Sequence, residues 1–456
     1  MVDDRTAIYK QHRISVHGFG PLREIVDFAI RDLVCIIGEQ SAGKSTLAKL
    51  IYYCRDIRNE FIILLQSSTL TQLENVEDVL AEFNHRLQAR FVSLYGGVER
   101  FKAFTVVYHY SPLHSMTMAK EAESTSLNFI FSESLQSRME NIIFEQLADL
   151  QSGAATPSIP LSIPAISELI SYQPLARRAA RELFYDDYHL IYVPAGRGLI
   201  SRRLFVGYLS HSGHSRASYS EQEPDDGVDF LTRIYFDYVR TVRDAWERLQ
   251  EDISYMDREE NFHAFELRSL LNFIIKGEYK VTQGEEYITI RDGSDVPLAF
   301  TSSGQQELLW ISNILQYLTF THSKCFIIIE EPEAHLFSKG QSDLVSALAM
   351  FINITGSQLF LTTHSPYIMI SLSNLLFAGT LDSAETKEAV EAIIPGIQHL
   401  QVEQAAGLLI GNGTTINILD HSIASLDVAK LDFVSEYLAD IFEELLAAGR
   451  GRFSRE

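Results

Sequence analysis

Apolar residues gather into short continuous runs separated by longer helical patterns. Residues 33–37 (LVCII), 189–193 (HLIYV), 325–329 (CFIII) and 358–363 (QLFLTT) are of strand length. Near-continuous apolarity over that length predicts parallel strands covered on both faces. Weaker alternation predicts strands over 12–20 (an edge strand closed by a glycine turn), 24–30, 101–110 and 126–131. Residues 278–290 read as a hairpin with Gln283-Gly284 at its turn. Residues 60–65 (EFIILL) also read as a strand. Helical spacing begins at Leu47 and is expected over 71–95, 165–184 with a break at Pro174, 228–275, 308–318 and 339–352. The Ser/Pro-rich stretch 152–164 and the polar stretch 206–226 read as loops; His211 and His214 lack a third ligand at a metal-like spacing. This alternation of strand and helix predicts an α/β fold.

Between the first buried run and the first helix lies Gly38-Glu39-Gln40-Ser41-Ala42-Gly43-Lys44-Ser45-Thr46. It fits G-x-x-x-x-G-K-[ST] in full, in the strand–turn–helix setting that lets backbone N–H groups face a phosphate chain. Lys44 would reach the β- and γ-phosphates of ATP, and the Ser45 hydroxyl would ligate Mg²⁺; the plain alternative is a structural glycine turn. Gln66 follows the expected strand at 60–65. It stands either as a sensor of Mg²⁺ and water or as an ordinary polar loop residue.

Three later stretches carry matching chemistry. Ser302-Ser303-Gly304-Gln305-Gln306 precedes an apolar helix, where free backbone donors and the Ser303 hydroxyl could grip a γ-phosphate, or where a simple helix cap could sit. Residues 325–329 end in Glu330-Glu331. Two adjacent carboxylates at the end of a buried strand are costly without a cation, so Glu330 is expected in the Mg²⁺ shell and Glu331 beside the attacking water. His364 ends the next apolar run and could touch the γ-phosphate or the water. Arg197, in a turn after 189–193, is either presented to the site or part of a surface salt bridge.

Taken together these residues resemble the ATP-binding-cassette ATPases of the SMC, Rad50 and OLD type. Gly38–Thr46 corresponds to the phosphate loop, Ser303, Gly304 and Gln306 to the signature motif, Glu330 and Glu331 to the Walker B end, and His364 to the switch histidine. Glu330 stands where Asp is more usual, and Gln305 replaces the signature's second glycine. The resemblance implies an ATPase head with a mixed central sheet, a β-rich lobe and a mostly helical insertion. It also implies two ATP molecules sandwiched in a homodimer, each Ser303 acting across the interface. Expected boundaries are 1–66 and 275–380 for the two parts of the ATPase core, 67–274 for the β lobe and insertion, and 381–456 for a helical extension. The motif Glu330-Glu331-Pro332-Glu333-Ala334-His335-Leu336 and the turn at 192–197 are similar to the small ATPases of bacterial anti-phage systems, closest in layout to the PARIS type. That similarity implies a higher homo-oligomer that holds a separate effector protein, a nuclease, and releases it when a phage-encoded trigger protein binds.

Composition narrows the alternatives. With 38 basic and 60 acidic side chains the net charge is −22, so duplex DNA would be repelled except at a local basic patch. Arg177, Arg178, Arg197, Arg202 and Arg203 are the modest cluster available to a DNA-repair-type clamp. No apolar run has membrane-spanning length, and the first residues lack an apolar signal segment, so a cytoplasmic protein is expected. The three cysteines are scattered, two of them inside predicted strands, which favours buried thiols over a disulfide or metal set. Asp420, Asp427, Asp432 and Asp440 form no strand–carboxylate series such as a nuclease domain needs.

Overall fold

The computed structural model describes residues 12–152, 174–195, 197, 229–381 and 386–427. The expected loops at 152–164 and 206–226, with His211, His214, Arg202 and Arg203, fall almost wholly outside these residues. The chain runs β1 (His12–Phe19), β2 (Leu22–Ile30), β3 (Leu33–Gly38), α1 (Lys44–Gln66), α2 (Val76–Tyr95), β4 (Phe104–His109), β5 (Ser115–Lys120), β6 (Asn128–Phe131), α3 (Glu133–Gln151) and β7 (His189–Val193). It continues through α4 (Phe230–Tyr255), α5 (Phe262–Ile275), β8 (Glu278–Thr282), β9 (Glu285–Thr289), β10 (Asp295–Pro297), α6 (Ser303–Phe320), β11 (Cys325–Glu330), α7 (Ser338–Thr355), β12 (Gln358–Thr363), α8 (Pro366–Thr380), β13 (Ala405–Gly411) and β14 (Thr414–Asn417).

One mixed sheet of eleven strands organises these elements, in the order β6-β5-β4-β1-β2-β14-β13-β3-β12-β11-β7. Strands β7, β11, β12, β3 and β13 are mutually parallel, and β1, β2, β4, β5 and β6 form an antiparallel lobe. Successive side chains of the parallel strands enter opposite cores, as the period of two requires. Val34, Ile36, Phe326 and Ile328 pack with α1 and α2, whereas Leu33, Cys35, Ile37, Ile327 and Ile329 pack with α4 to α8. This is the mixed α/β architecture expected of an ATPase head.

Three expectations are corrected. Residues 60–65 are helical: α1 runs unbroken for 23 residues and is buried on every face, so its apolar stretch has the composition of a core strand without being one. Residues 12–20 form an interior strand, flanked by β2 and β4, rather than an edge. The region after 381 is not a helical extension through 427, because β13 lies parallel to β3 in the centre of the sheet. The cysteines are free and buried, and burial pushes the Cys35 and Cys325 thiols up to about 12.

Candidate active site

Register brings the chemistry to one edge. Ile37 pairs with Thr363, and Thr362 with Glu330, so the phosphate loop, His364 and Glu331 leave neighbouring strands at the same level. Carboxyl ends of parallel strands are where open α/β sheets bind ligands. Between β3 and α1 the loop curls through left-handed Ser41 (φ 62°) and Gly43 (φ 110°). Gly43 caps α1 without a side-chain bond, leaving the first-turn N–H groups of Lys44, Ser45 and Thr46 with no intrahelical acceptor. Such a concave set of donors suits a phosphate chain. Glu39, Gln40 and Ser41 line the exposed rim of the loop, and Ala42 turns back through its N–H to the Glu39 carbonyl.

Lys44 is buried. Its ammonium donates to the carbonyls of Gly38 and Glu39, each at 2.8 Å, and lies 3.3 Å from His364 Nδ1. Burial lowers its pKa, opposed by the charges of Glu331, Glu333 and Glu330. On its other side His364 places Nε2 2.8 Å from Glu331 Oε1. A carboxylate can only accept, so Nε2 carries the proton and Nδ1 takes an N–H from Lys44. Lys44, His364 and Glu331 thus form one chain of hydrogen bonds.

Glu331 occupies the left-handed region (φ 44°), a strained backbone for a residue with a side chain. Two contacts hold it there: its N–H donates to the Thr362 carbonyl at 2.9 Å, and its carbonyl accepts from Arg197 Nη2 at 3.0 Å. Arg197 is fully buried, resolving the choice posed by the sequence against a surface ion pair. Glu330 is also buried; Oε2 accepts from the Ala195 N–H at 3.1 Å, while Oε1 has no well-formed hydrogen bond among the described residues, although the Tyr192 hydroxyl lies beside the carboxylate. A buried carboxylate oxygen without a well-formed hydrogen bond suits a hard cation, and Ser45 stands exposed at the start of α1. Glu330 and Ser45 therefore fit a Mg²⁺ shell.

Gln66 does not. It ends α1, 22 residues beyond Lys44, which at helical rise is about 33 Å away. Gln306 also departs from expectation: its side chain turns inward and donates to the Leu298 and Thr301 carbonyls, bracing the loop before α6 instead of facing phosphate. The helix cap falls to Ser302, which forms a capping box with Gln305. Gln305 thereby has a structural reason for standing where the signature pattern carries glycine. Ser303 is left exposed in the first turn beside Gly304.

Glu333 was not singled out for chemistry from the sequence. Its Oε1 accepts from Thr363 Oγ1 at 2.6 Å and from the His364 N–H at 2.8 Å, so it fixes the backbone that carries the histidine. The only signal for it was its place in the acidic run after β11.

Residues 218–369 match the family model of the AAA ATPase domain, AAA_15. No curated protein matches the chain. Among solved structures, the SMC head domain from Thermotoga maritima is 13% identical, with 90% of this chain and 98% of that chain covered and a TM-score of 0.36. An Smc head bound to the C-terminal winged-helix domain of ScpA is 10% identical, covering 90% and 97%, with a TM-score of 0.37. An Smc head with an extended coiled coil, bound to the C-terminal domain of ScpA derived from Pyrococcus furiosus, is 11% identical, covering 94% and 99%, with a TM-score of 0.37. The segment similar to the AAA ATPase domain carries Ser303, Glu330, Glu331 and His364, and ATP binding and hydrolysis in general are what that similarity supports.

Proposed function

We propose that this chain is an ATP-binding and ATP-hydrolysing head that works as a homodimer, with each Ser303 completing the site of the other protomer. The hydrogen-bonded series Lys44–His364–Glu331 carries the reading, because it joins a phosphate-binding cation to a carboxylate placed for a water. On binding ATP, Lys44 exchanges the Gly38 and Glu39 carbonyls for phosphate oxygens. Ser45 and Glu330 would hold Mg²⁺, which would supply charge neutralisation for the phosphates. Glu331 accepts the proton of the attacking water, and His364 fixes the orientation of that carboxylate. Ser303 is exposed, which suits contact with a γ-phosphate held by the partner.

The finer reading is a sensor or scaffold subunit of an anti-phage complex that holds a separate toxic effector until a trigger binds. A net charge of −22 supports storage of a basic partner. The alternative is a DNA-repair-type ATPase that clamps duplex DNA between two heads, and the neighbours named above are SMC heads rather than defence proteins. Its basic groove is thinned, however, by the burial of Arg197 and by the pairing of Arg178 with Glu145 and Glu182. The test is the mass of Glu331→Gln protein with ATP and Mg²⁺, purified with its cellular partners. A multimer of dimers carrying a second protein supports the sensor, and a dimer that gains mass only with duplex DNA supports the clamp. A monomer under all conditions overturns both.

A further inference from the structure

Arg197 belongs to neither the phosphate loop nor the signature motif, yet it touches the ends of three elements. Its Nη1 donates to the Pro194 carbonyl at 3.2 Å and the Glu330 carbonyl at 2.8 Å, its Nη2 to the Glu331 carbonyl at 3.0 Å, and its Nε to the Glu307 carbonyl at 3.3 Å. Four of the five N–H donors of the guanidinium are thus spent on backbone carbonyls, and among the described residues no carboxylate pairs with it. Burial lowers its pKa, opposed by Tyr235 and by the charges of Glu307, Glu333 and Glu331. Glu307 lies in the first turns of α6, the helix that presents Ser303.

A second link runs beside the first. Glu307 is buried, with Oε2 lacking a partner among the described residues and Oε1 3.3 Å from Nε2 of His335, four residues beyond Glu331. The backbone closes the same gap: a Cβ added at Gly304 would lie 3.3 Å from the His335 carbonyl oxygen. The start of α6 therefore packs closely against the loop that carries Glu331.

This arrangement acquires a meaning in the dimer proposed above, on which the inference rests. There the start of α6 meets the ATP of the partner, whereas Glu331 serves the ATP of its own protomer. We infer that Arg197, with the Glu307–His335 contact, couples the two ATP sites: closure of α6 on one nucleotide sets the backbone of the catalytic glutamate at the other. Arg197 and His335 are positioning residues in this scheme, since neither meets the reacting atoms.

The test compares steady-state ATPase activity across ATP concentration for wild type, Arg197→Lys and His335→Asn, alongside fluorescent-nucleotide affinity and thermal midpoint. Lysine has one charged nitrogen and cannot span four carbonyls. Asparagine tolerates the left-handed backbone of His335 (φ 62°) but cannot reach Glu307. His335 is an exposed side chain, so its variant decides the matter if Arg197→Lys fails to fold. Coupling predicts a wild-type Hill coefficient above one that falls to one in both variants. It also predicts a kcat lower by at least about fivefold, the size of a weak coupling between linked sites, with nucleotide affinity unchanged. A wild type that hydrolyses ATP without cooperativity, or variants that keep it, would overturn the coupling and leave the ATPase reading standing. A wild type with neither hydrolysis nor ATP-driven dimerisation would remove the reading beneath it.

Discussion

His364 Nε2 lies 2.8 Å from Glu331 Oε1, so the residues at the tips of β12 and β11 form one hydrogen-bonded unit. Removing the imidazole frees a carboxylate whose backbone is already strained. His364→Ala is expected to lower kcat by roughly 10²-fold, the scale of a displaced general base, with little change in KM. Steady-state kinetics check this, and an unchanged kcat would place the water elsewhere.

Lys44 is the one buried cation that faces the phosphate loop from within it. Lys44→Ala removes both the charge and the two bonds that order the loop carbonyls. Titration calorimetry should show ATP binding lost. Affinity close to that of wild type would dissociate the loop from nucleotide binding.

Much of this site could be read from the sequence, because its motifs sit at strand ends that announce themselves by apolar runs and turn residues. What escaped depended on distant partners. The stretch at 60–65 is as apolar as a strand because α1 is enclosed on all sides; its polar residues are answered from elsewhere, with Arg90 of α2 paired to Asp56 and Glu60. A helix with no exposed face has no amphipathic period to detect. Strand β13 is rich in Ala and Gly, and its place beside β3 is fixed by a pairing that spans most of the chain. Arg197 sits in a Pro/Gly turn between apolar residues in the sequence, and only the structure shows the carbonyls converging on it.

Asp186 lies between two buried arginines, 2.7 Å from Arg55 Nε and 3.0 Å from Arg58 Nη1. Burial alone would raise its pKa, but the two guanidinium charges outweigh that and hold it well below the usual carboxylate range. Asp186→Asn leaves both cations uncompensated and should cost about 3–5 kcal/mol at neutral pH. Denaturant unfolding measures it, and a loss under about 1 kcal/mol would mean that other groups neutralise the pair.

His12 and His189 are buried within the sheet, and burial is the first cause of pKa values lowered to about 3 and about 4. Both stay neutral in the folded state, whereas the unfolded chain protonates them below 6.5. Their contribution is therefore intact above pH 6.5 and is lost as pH falls toward 4, at about 1.4 kcal/mol per pH unit for each group. Between pH 7 and 5 the stability of His12→Gln should fall by about 2 kcal/mol less than that of wild type. Parallel pH profiles would show that His12 is already charged when folded.

Mixing two inactive variants tests the shared site most directly. Ser303→Arg blocks the signature while leaving Glu331 intact, and Glu331→Gln does the reverse. In a mixed dimer one site regains a native Glu331 from one protomer and a native Ser303 from the other. Equal mixing should restore ATPase activity to as much as roughly a quarter of wild type, since half of random dimers are mixed and each has one whole site. Background activity in the mixture, or full activity in Ser303→Arg alone, would contradict it.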